Sequence, residues 1–237
     1  MVLFAIVGEL GSGKTLALTY LAWNNWYHKK RRIYSNYDLY GFPYTKIESV
    51  PDLDKMSQGF FAGDELWLWL DSWEGRSKKQ RLISSILLKS RKRNITIAFT
   101  SQSISQISKR IRDITDFIAY PLLSTDDSYC RLEVFRGSKP MLETRIKPAI
   151  YFWTEPVIAM FNTYQEVKPL SEETKMTEVF NPVWRNPAWI RYLKEQGKSK
   201  KEIMELSKEI QQSINPEGIT SEAQRRKEEE DYLLPEL

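Results

Sequence analysis

Residues 8–15 read Gly8-Glu9-Leu10-Gly11-Ser12-Gly13-Lys14-Thr15, a glycine-rich loop with the spacing G-x-x-x-x-G-K-[ST]. Each residue type has a physical reason to be there. Glycines let successive backbone N–H groups turn inward around phosphate oxygens, which side chains would obstruct. The lysine ammonium can reach the outer phosphates, and the threonine hydroxyl is a hard oxygen ligand for Mg²⁺. A helix starting directly behind the loop points its partial positive charge at the same anion. The chemistry predicted is binding of a nucleoside triphosphate with Mg²⁺ through Gly8, Gly11, Ser12, Gly13, Lys14 and Thr15.

Hydrolysis needs carboxylates as well, and GFFAGDELWLWLD (59–71) supplies them. Asp64 ends a short strand and is placed to hold Mg²⁺, with Glu65 as the base that polarises the attacking water. Asp71 is the rival metal-site aspartate, but no second acid follows it. A third element is ITIAFTSQ (95–102), a buried strand ending in Thr-Ser-Gln. Strand C-termini of a parallel sheet face the ligand crevice, so Gln102 can hydrogen-bond both the γ-phosphate and the lytic water.

A frame must position these groups. Val2–Val7 reads as a buried strand, Leu16–Trp26 as a helix and Ile33–Asn36 as a second strand. Gly59–Gly63 is a third strand, although glycines stand where aliphatic residues are usual. Ser77–Arg93 is predicted helical, with Leu82, Ile83, Ile86 and Leu87 on one face. Ile95–Thr100 follows as a strand, Ser103–Arg112 as a basic helix and Phe117–Tyr120 as a strand. The alternation predicts an α/β fold, a parallel sheet flanked by crossover helices.

The pattern changes after Pro121. Tyr129–Arg136 and Met141–Ile146, around the turn Gly137-Ser138-Lys139-Pro140, predict a β-hairpin near 128–147, and Tyr151–Val167 is expected to return to the sheet. From residue 169 the chain is charged and dotted with proline. The expected division is a core at 1–168 and a small, mainly helical C-terminal appendage at 169–237. Within it, Trp189–Leu206 reads as helix, turn at Gly197, cap at Ser199, helix. That spacing suits a helix-turn-helix offering Lys198, Lys200 and Lys201 to a nucleic-acid backbone, and equally a helical hairpin docked on the core or a partner. Arg225–Asp231 reads as a solvated helix or tail.

Composition narrows the classes. With 237 residues, 41% hydrophobic and 28% charged, the chain can bury a core of one α/β domain. A net charge of +4 permits nucleic-acid contact without demanding it. The single cysteine excludes a disulfide framework or a cysteine-based zinc site and points to a reducing compartment. The lone His28 argues against histidine-based catalysis. The start fits no signal peptide, and the apolar stretch Ala149–Phe161 is broken by Thr154, Glu155 and Pro156, so no membrane insertion is expected.

Over roughly Met1–Val167 these pieces resemble the FtsK/HerA superfamily of P-loop ATPases, ring-shaped DNA-pumping motors. GELGSGKT corresponds to its Walker A motif, GDEL to its Walker B motif and FTSQ to the strand with its sensor glutamine. LLKSRKRNITIAFTSQ is similar to the family's segment leading into that strand. The resemblance implies an ASCE/RecA-like P-loop core and a homo-oligomeric ring, hexameric by analogy, acting on double-stranded DNA. It also implies an arginine finger acting on the neighbouring subunit's nucleotide, with Arg91 the first candidate, Arg93 the second and Arg110 or Arg112 the third.

Compact length, IYSNYDL and MFNTYQEV look like the genome-packaging ATPases of tailless archaeal and bacterial viruses. That implies packaging into a preformed capsid, a capsid or portal-vertex partner, and residence in the host cytoplasm and transiently at the procapsid. Zot-like phage assembly and export ATPases share the IYSN-like and glutamine-strand features and are the alternative. A small nucleotide kinase and a non-hydrolysing nucleotide switch are the further rivals. Lys78, Lys79 and Arg81, or the hairpin tip Arg136, Gly137, Ser138 and Lys139, are the groups offered to DNA phosphates.

Overall fold

The computed structural model describes residues 2–66, 92–107, 109–137, 144–167 and 176–214. In chain order the strands are β1 (Leu3–Val7), β2 (Arg32–Ser35), β3 (Tyr44–Lys46), β4 (Gly59–Gly63), β5 (Ile95–Ser101), β6 (Phe117–Leu123), β7 (Tyr129–Arg136), β8 (Arg145–Trp153) and β9 (Thr177–Val179). The α-helices are α1 (Lys14–Tyr27), α2 (Val50–Lys55), α3 (Lys109–Asp113), α4 (Thr154–Ile158), α5 (Pro187–Glu195) and α6 (Lys200–Ser213). Among the described residues the strands form one sheet in the order β8-β7-β6-β1-β5-β4-β2-β3-β9. From β6 to β3 every pairing is parallel, whereas β7, β8 and β9 join antiparallel.

Side-chain alternation explains why the centre of this sheet is buried on both sides. On β5, Ile95, Ile97 and Phe99 face one core, shared with Leu3, Tyr34, Phe61, Ile107 and Ile111. Ala98 faces the other, with Ile6, Leu18, Trp23 and Phe60. All five residues of β4 are buried, as expected of an interior parallel strand. Cys130 sits in the same interior, and burial pushes its thiol up to about 12, which leaves it inert as a nucleophile.

The glycine at the start of β4 now has a reason. A Cβ on Gly59 would lie 2.6 Å from Arg32 O and 2.6 Å from the Tyr34 ring, so β2 and its aromatic side chain occupy the space an aliphatic residue would need. Gly59→Ala is therefore expected to destabilise the fold by about 1–3 kcal/mol. A chemical denaturation midpoint would show it. An unchanged midpoint would mean that Tyr34 moves aside at no cost.

Two expected elements differ in form. Ser103–Arg112 is not one helix but a single 3-10 turn, Ile104–Gln106, followed by α3. The Ser103 side chain accepts from Ser105 N–H, and Ser103 O accepts from Ser101 Oγ, so local polar bonds compete with helix propagation. The strand expected beyond Tyr151 ends at Trp153 and gives way to α4 and a loop. The hairpin is present, with β7 and β8 paired antiparallel. The expected helix at Ser77–Arg93 lies outside the described residues up to residue 91.

The described part of 169–237 packs on the rest of the fold. β9 pairs with β3 at the sheet edge, and Val183, Trp189, Leu193, Ile203 and Ile214 belong to the core cluster that contains α1. Trp189 Nε1 donates to Ser207 Oγ at 3.1 Å. Asn186 Nδ2 donates to Ala159 O and Phe161 O, fixing the loop after α4 from behind. Helix α6 starts at a capping box, Ser199 with Glu202, and keeps Lys198, Lys200 and Lys201 in solvent.

Candidate functional site

The glycine loop leaves the C-terminal end of β1 and runs into α1. Gly8 N–H donates to Ser101 O at 3.3 Å, which ties the mouth of the loop to the end of β5. A Cβ on Gly8 would lie 2.4 Å from Ser12 Oγ and 3.1 Å from Ser12 Cβ, so the loop closes on itself and a side chain at Gly8 would displace the serine hydroxyl. Ser12 Oγ is buried there with no hydrogen-bond partner, a polar atom that a phosphate oxygen would satisfy. Gly13 caps α1 with φ 85°, and the first helical turn carries no acidic side chain to oppose an anion. Lys14 Nζ donates to Glu9 O at 2.6 Å. Burial lowers its pKa, against the raising effects of the Asp64 and Glu65 charges.

Facing the loop is the acidic pair. β5 lies between β1 and β4, and its Thr100 fills the gap between the two. Thr15 Oγ1 lies 3.1 Å and 3.2 Å from the two Asp64 carboxylate oxygens and donates to them. Thr100 Oγ1 donates to Asp64 Oδ1 at 2.7 Å and accepts from Glu65 N–H at 2.7 Å. Burial raises the Asp64 pKa above the usual carboxylate value. The Thr100 and Thr15 hydrogen bonds oppose that rise, the nearby Glu65 charge adds to it, and Lys14 opposes it. A glycine loop between a parallel strand and a helix, aimed at a threonine-bonded aspartate two strands away, decides the architecture. The chain has an α/β P-loop fold.

A cavity of about 410 Å³ runs from the P-loop, Asp64 and Glu65 to a far wall that includes Leu123, Ile158 and Gln165. Gly11, Gly13, Lys14 and the Thr15–Asp64 oxygen set line one end and fit a Mg²⁺-bound triphosphate, with the orphaned Ser12 hydroxyl in the same loop. The aliphatic Leu123 and Ile158 suit the flat face of a nucleobase at the other.

The structure thus brings together Gly8, Gly11, Ser12, Gly13, Lys14, Thr15, Asp64 and Glu65. Gln102 lies one residue beyond β5, half-buried and outside the cavity lining, where Thr100 is found instead. Arg91, the rival Asp71, and Lys78, Lys79, Arg81, Ser138 and Lys139 lie outside the described residues. Arg93 is at the opposite end of β5 from Thr100 and pairs with Asp54 at 2.8 Å. Arg112 reaches Ile104 O at 3.5 Å, and Arg110 lies on α3. Arg136 is exposed at the end of β7.

Two residues at the site carried weak sequence signals. Thr100 was a polar residue in an otherwise apolar strand, and Asn36 was the polar end of IYSN. Asn36 Nδ2 donates to Asp64 O at 2.7 Å, and Asp64 N–H donates to Asn36 Oδ1 at 2.7 Å.

No protein-family model and no curated protein sequence matches the chain. Among solved structures it is similar to the N-terminal domain of zonular occludens toxin from Neisseria meningitidis (TM-score 0.48, 15% identity, covering 68% of this chain and 100% of that chain). It is also similar to the genome packaging NTPase of Sulfolobus turreted icosahedral virus 2. In complex with ATP-gammaS the TM-score is 0.42, with 8% identity over 59% of this chain and 94% of that chain. In complex with sulfate it is 0.42, with 11% identity over 73% of this chain and 98% of that chain. The P-loop fold itself rests on this chain's own strand order and loop.

Proposed function

We propose that this P-loop chain is a Mg²⁺-dependent ATPase that works as a homo-oligomeric ring and couples hydrolysis to translocation of double-stranded DNA, packaging a viral genome into a preformed capsid. One observation carries the hydrolytic part: Thr15 at the start of α1 meets Asp64 and Glu65 just past β4, bridged by Thr100 of the intervening strand β5, beside a loop built for phosphate. Thr15 Oγ1 and the Asp64 carboxylate would hold Mg²⁺, which when bound offsets negative charge on the phosphate oxygens. The loop N–H groups and Lys14 bind the phosphates, and Lys14 exchanges its bond to Glu9 O for them. The Glu65 carboxylate accepts the proton of the attacking water as the γ-phosphoryl group leaves ADP. Gln102 would sense the γ-phosphate, and Arg91 of one subunit would complete the site of the next.

The DNA part is supported by the resemblance in motif spacing and by exposed cations at Arg136, Lys198, Lys200 and Lys201. A capsid or portal-vertex protein is the further partner in this reading, with the work done in the host cytoplasm. Among the described residues no helix is long and apolar enough to cross a membrane.

The test is ATP turnover with and without linear double-stranded DNA, in the unsubstituted chain, Arg91→Ala, and Arg91→Ala mixed with Glu65→Gln. DNA should accelerate turnover. Arg91→Ala should lower it by ~10³-fold or more, as loss of a finger does. Mixing should restore part of it, because each inactive subunit supplies what the other lacks. Turnover indifferent to DNA and to Arg91→Ala would overturn the motor reading and favour the kinase or switch.

A further inference from the structure

The stretches IYSNYDL and MFNTYQEV take no part in the chemistry described so far, yet the fold draws them to the acidic pair. Asn36 follows β2 directly, and its single side-chain amide makes two 2.7 Å bonds to the backbone of Asp64, one to its carbonyl and one from its N–H. The side chain thereby extends the β2–β4 ladder one step past the last strand pair, Ser35 with Ala62. Only an amide does this at such length, because it offers a donor and an acceptor side by side.

The next residue is Glu65, with φ 46°, a left-handed conformation unfavourable for a non-glycine residue. Such a backbone persists only where its surroundings over-determine it. Here three bonds do so: the two between the Asn36 amide and the Asp64 backbone on one side, and Glu65 N–H to Thr100 Oγ1 on the other. Asn36 is buried and firmly held in turn. Ser35 Oγ donates to Tyr37 O at 2.7 Å, and the Tyr37 hydroxyl meets Thr19 Oγ1 of α1 at 2.9 Å. Asp38 N–H donates to Gln165 Oε1 at 2.7 Å, and Gln165 lines the far wall of the cavity. The turn 35–38 is therefore a strut between that wall and the acidic pair.

We infer that Asn36 is a positioning residue that holds Glu65 in the backbone conformation from which its carboxylate meets the attacking water. The inference rests on the reading of Glu65 as the base. Without the clasp, the Asp64 peptide groups lose their partners, Glu65 relaxes toward an ordinary φ, and its carboxylate leaves the line of attack. Nucleotide binding, which depends on the loop and Lys14, is untouched.

The experiment measures kcat, KM and Mg²⁺·ATP affinity for the unsubstituted chain, Asn36→Ala, Glu65→Gln and the double variant, with thermal melting to establish folding. Asn36→Ala should lower kcat by ~100-fold, the scale of a misplaced catalytic group, with affinity nearly unchanged. In the Glu65→Gln background the same change should cost less than ~3-fold, because the group it positions is gone. A structural role would cost the same factor in both backgrounds, and that result would overturn the proposal. So would an Asn36→Ala chain with unimpaired kcat. Should Asn36→Ala fail to fold, Asn36→Asp keeps the acceptor for Asp64 N–H and loses the donor to Asp64 O, and should lower kcat by about 10-fold. Turnover in the unsubstituted chain that does not depend on Glu65 would instead overturn the hydrolytic reading, and this inference with it.

Discussion

Replacing Glu65 by Gln is expected to leave Mg²⁺·ATP binding intact and to slow hydrolysis by ~10²–10⁴-fold, the contribution of a positioned general base. The amide keeps the size and polarity of the carboxylate but cannot accept the water proton. Binding should survive because the groups proposed to meet the phosphates all lie on the loop and α1: the loop N–H groups, Lys14 and Thr15. Glu65 lines the cavity, and the bond from its N–H to Thr100 Oγ1 belongs to the backbone, so the substitution leaves it in place. Equilibrium binding of a fluorescent ATP analogue beside phosphate release separates the two effects. A loss of affinity parallel to the loss of rate would show that Glu65 supports the nucleotide rather than the water.

Asp64→Asn should move stability and activity in opposite directions. Burial raises the Asp64 pKa, so between the ordinary carboxylate value and the raised one the folded chain binds more protons than the unfolded chain. Stability therefore falls as pH rises through that window, and the ionised, buried carboxylate is a cost at neutral pH. An asparagine lifts that cost. Its carbonyl can still accept from Thr100, and its amide can donate to the Thr15 hydroxyl in place of the bond seen now. At pH 7 the melting temperature should rise by a few degrees, on a scale of ~2–4 °C per kcal/mol for a chain of this size. The gain should vanish as pH drops below the ordinary carboxylate range, where Asp64 is protonated in both states. Hydrolysis should fall by at least ~100-fold, since the charge that would hold Mg²⁺ is gone. A variant no more stable at pH 7 would show that Lys14 and the hydroxyl bonds fully offset the burial.

The sequence disclosed those parts of the site whose chemistry is compressed into contiguous residues. The P-loop needs eight neighbours in a row, and the acidic pair two. The central strands were legible because both their faces are buried, which leaves near-continuous apolar runs such as Ile95–Phe99. Helix α6 was legible from its local cap, Ser199 with Glu202.

What escaped was made by distance along the chain. Asn36 meets Asp64 only because β2 and β4 pair, and Thr100 reaches the gap only because β5 lies between β1 and β4. The far wall of the cavity gathers Leu123 from β6, Ile158 from α4 and Gln165 from the loop beyond it. β9 escaped because three residues at a sheet edge carry no periodicity, and its partner β3 lies more than a hundred residues earlier. The segment around Trp189 was legible as helix, turn and helix, but its spacing left open whether it met nucleic acid or docked on the core. The helices turn Trp189, Leu193 and Ile203 inward.

The most direct test of the central claim, that this P-loop faces an acidic pair competent for hydrolysis, is phosphate release from Mg²⁺·ATP by the purified chain, measured beside Lys14→Ala purified in the same way. Turnover should be present in the first, lost in the second, and abolished in the first by chelating Mg²⁺. Equal release from both chains, or none from either while ATP is bound, would contradict it.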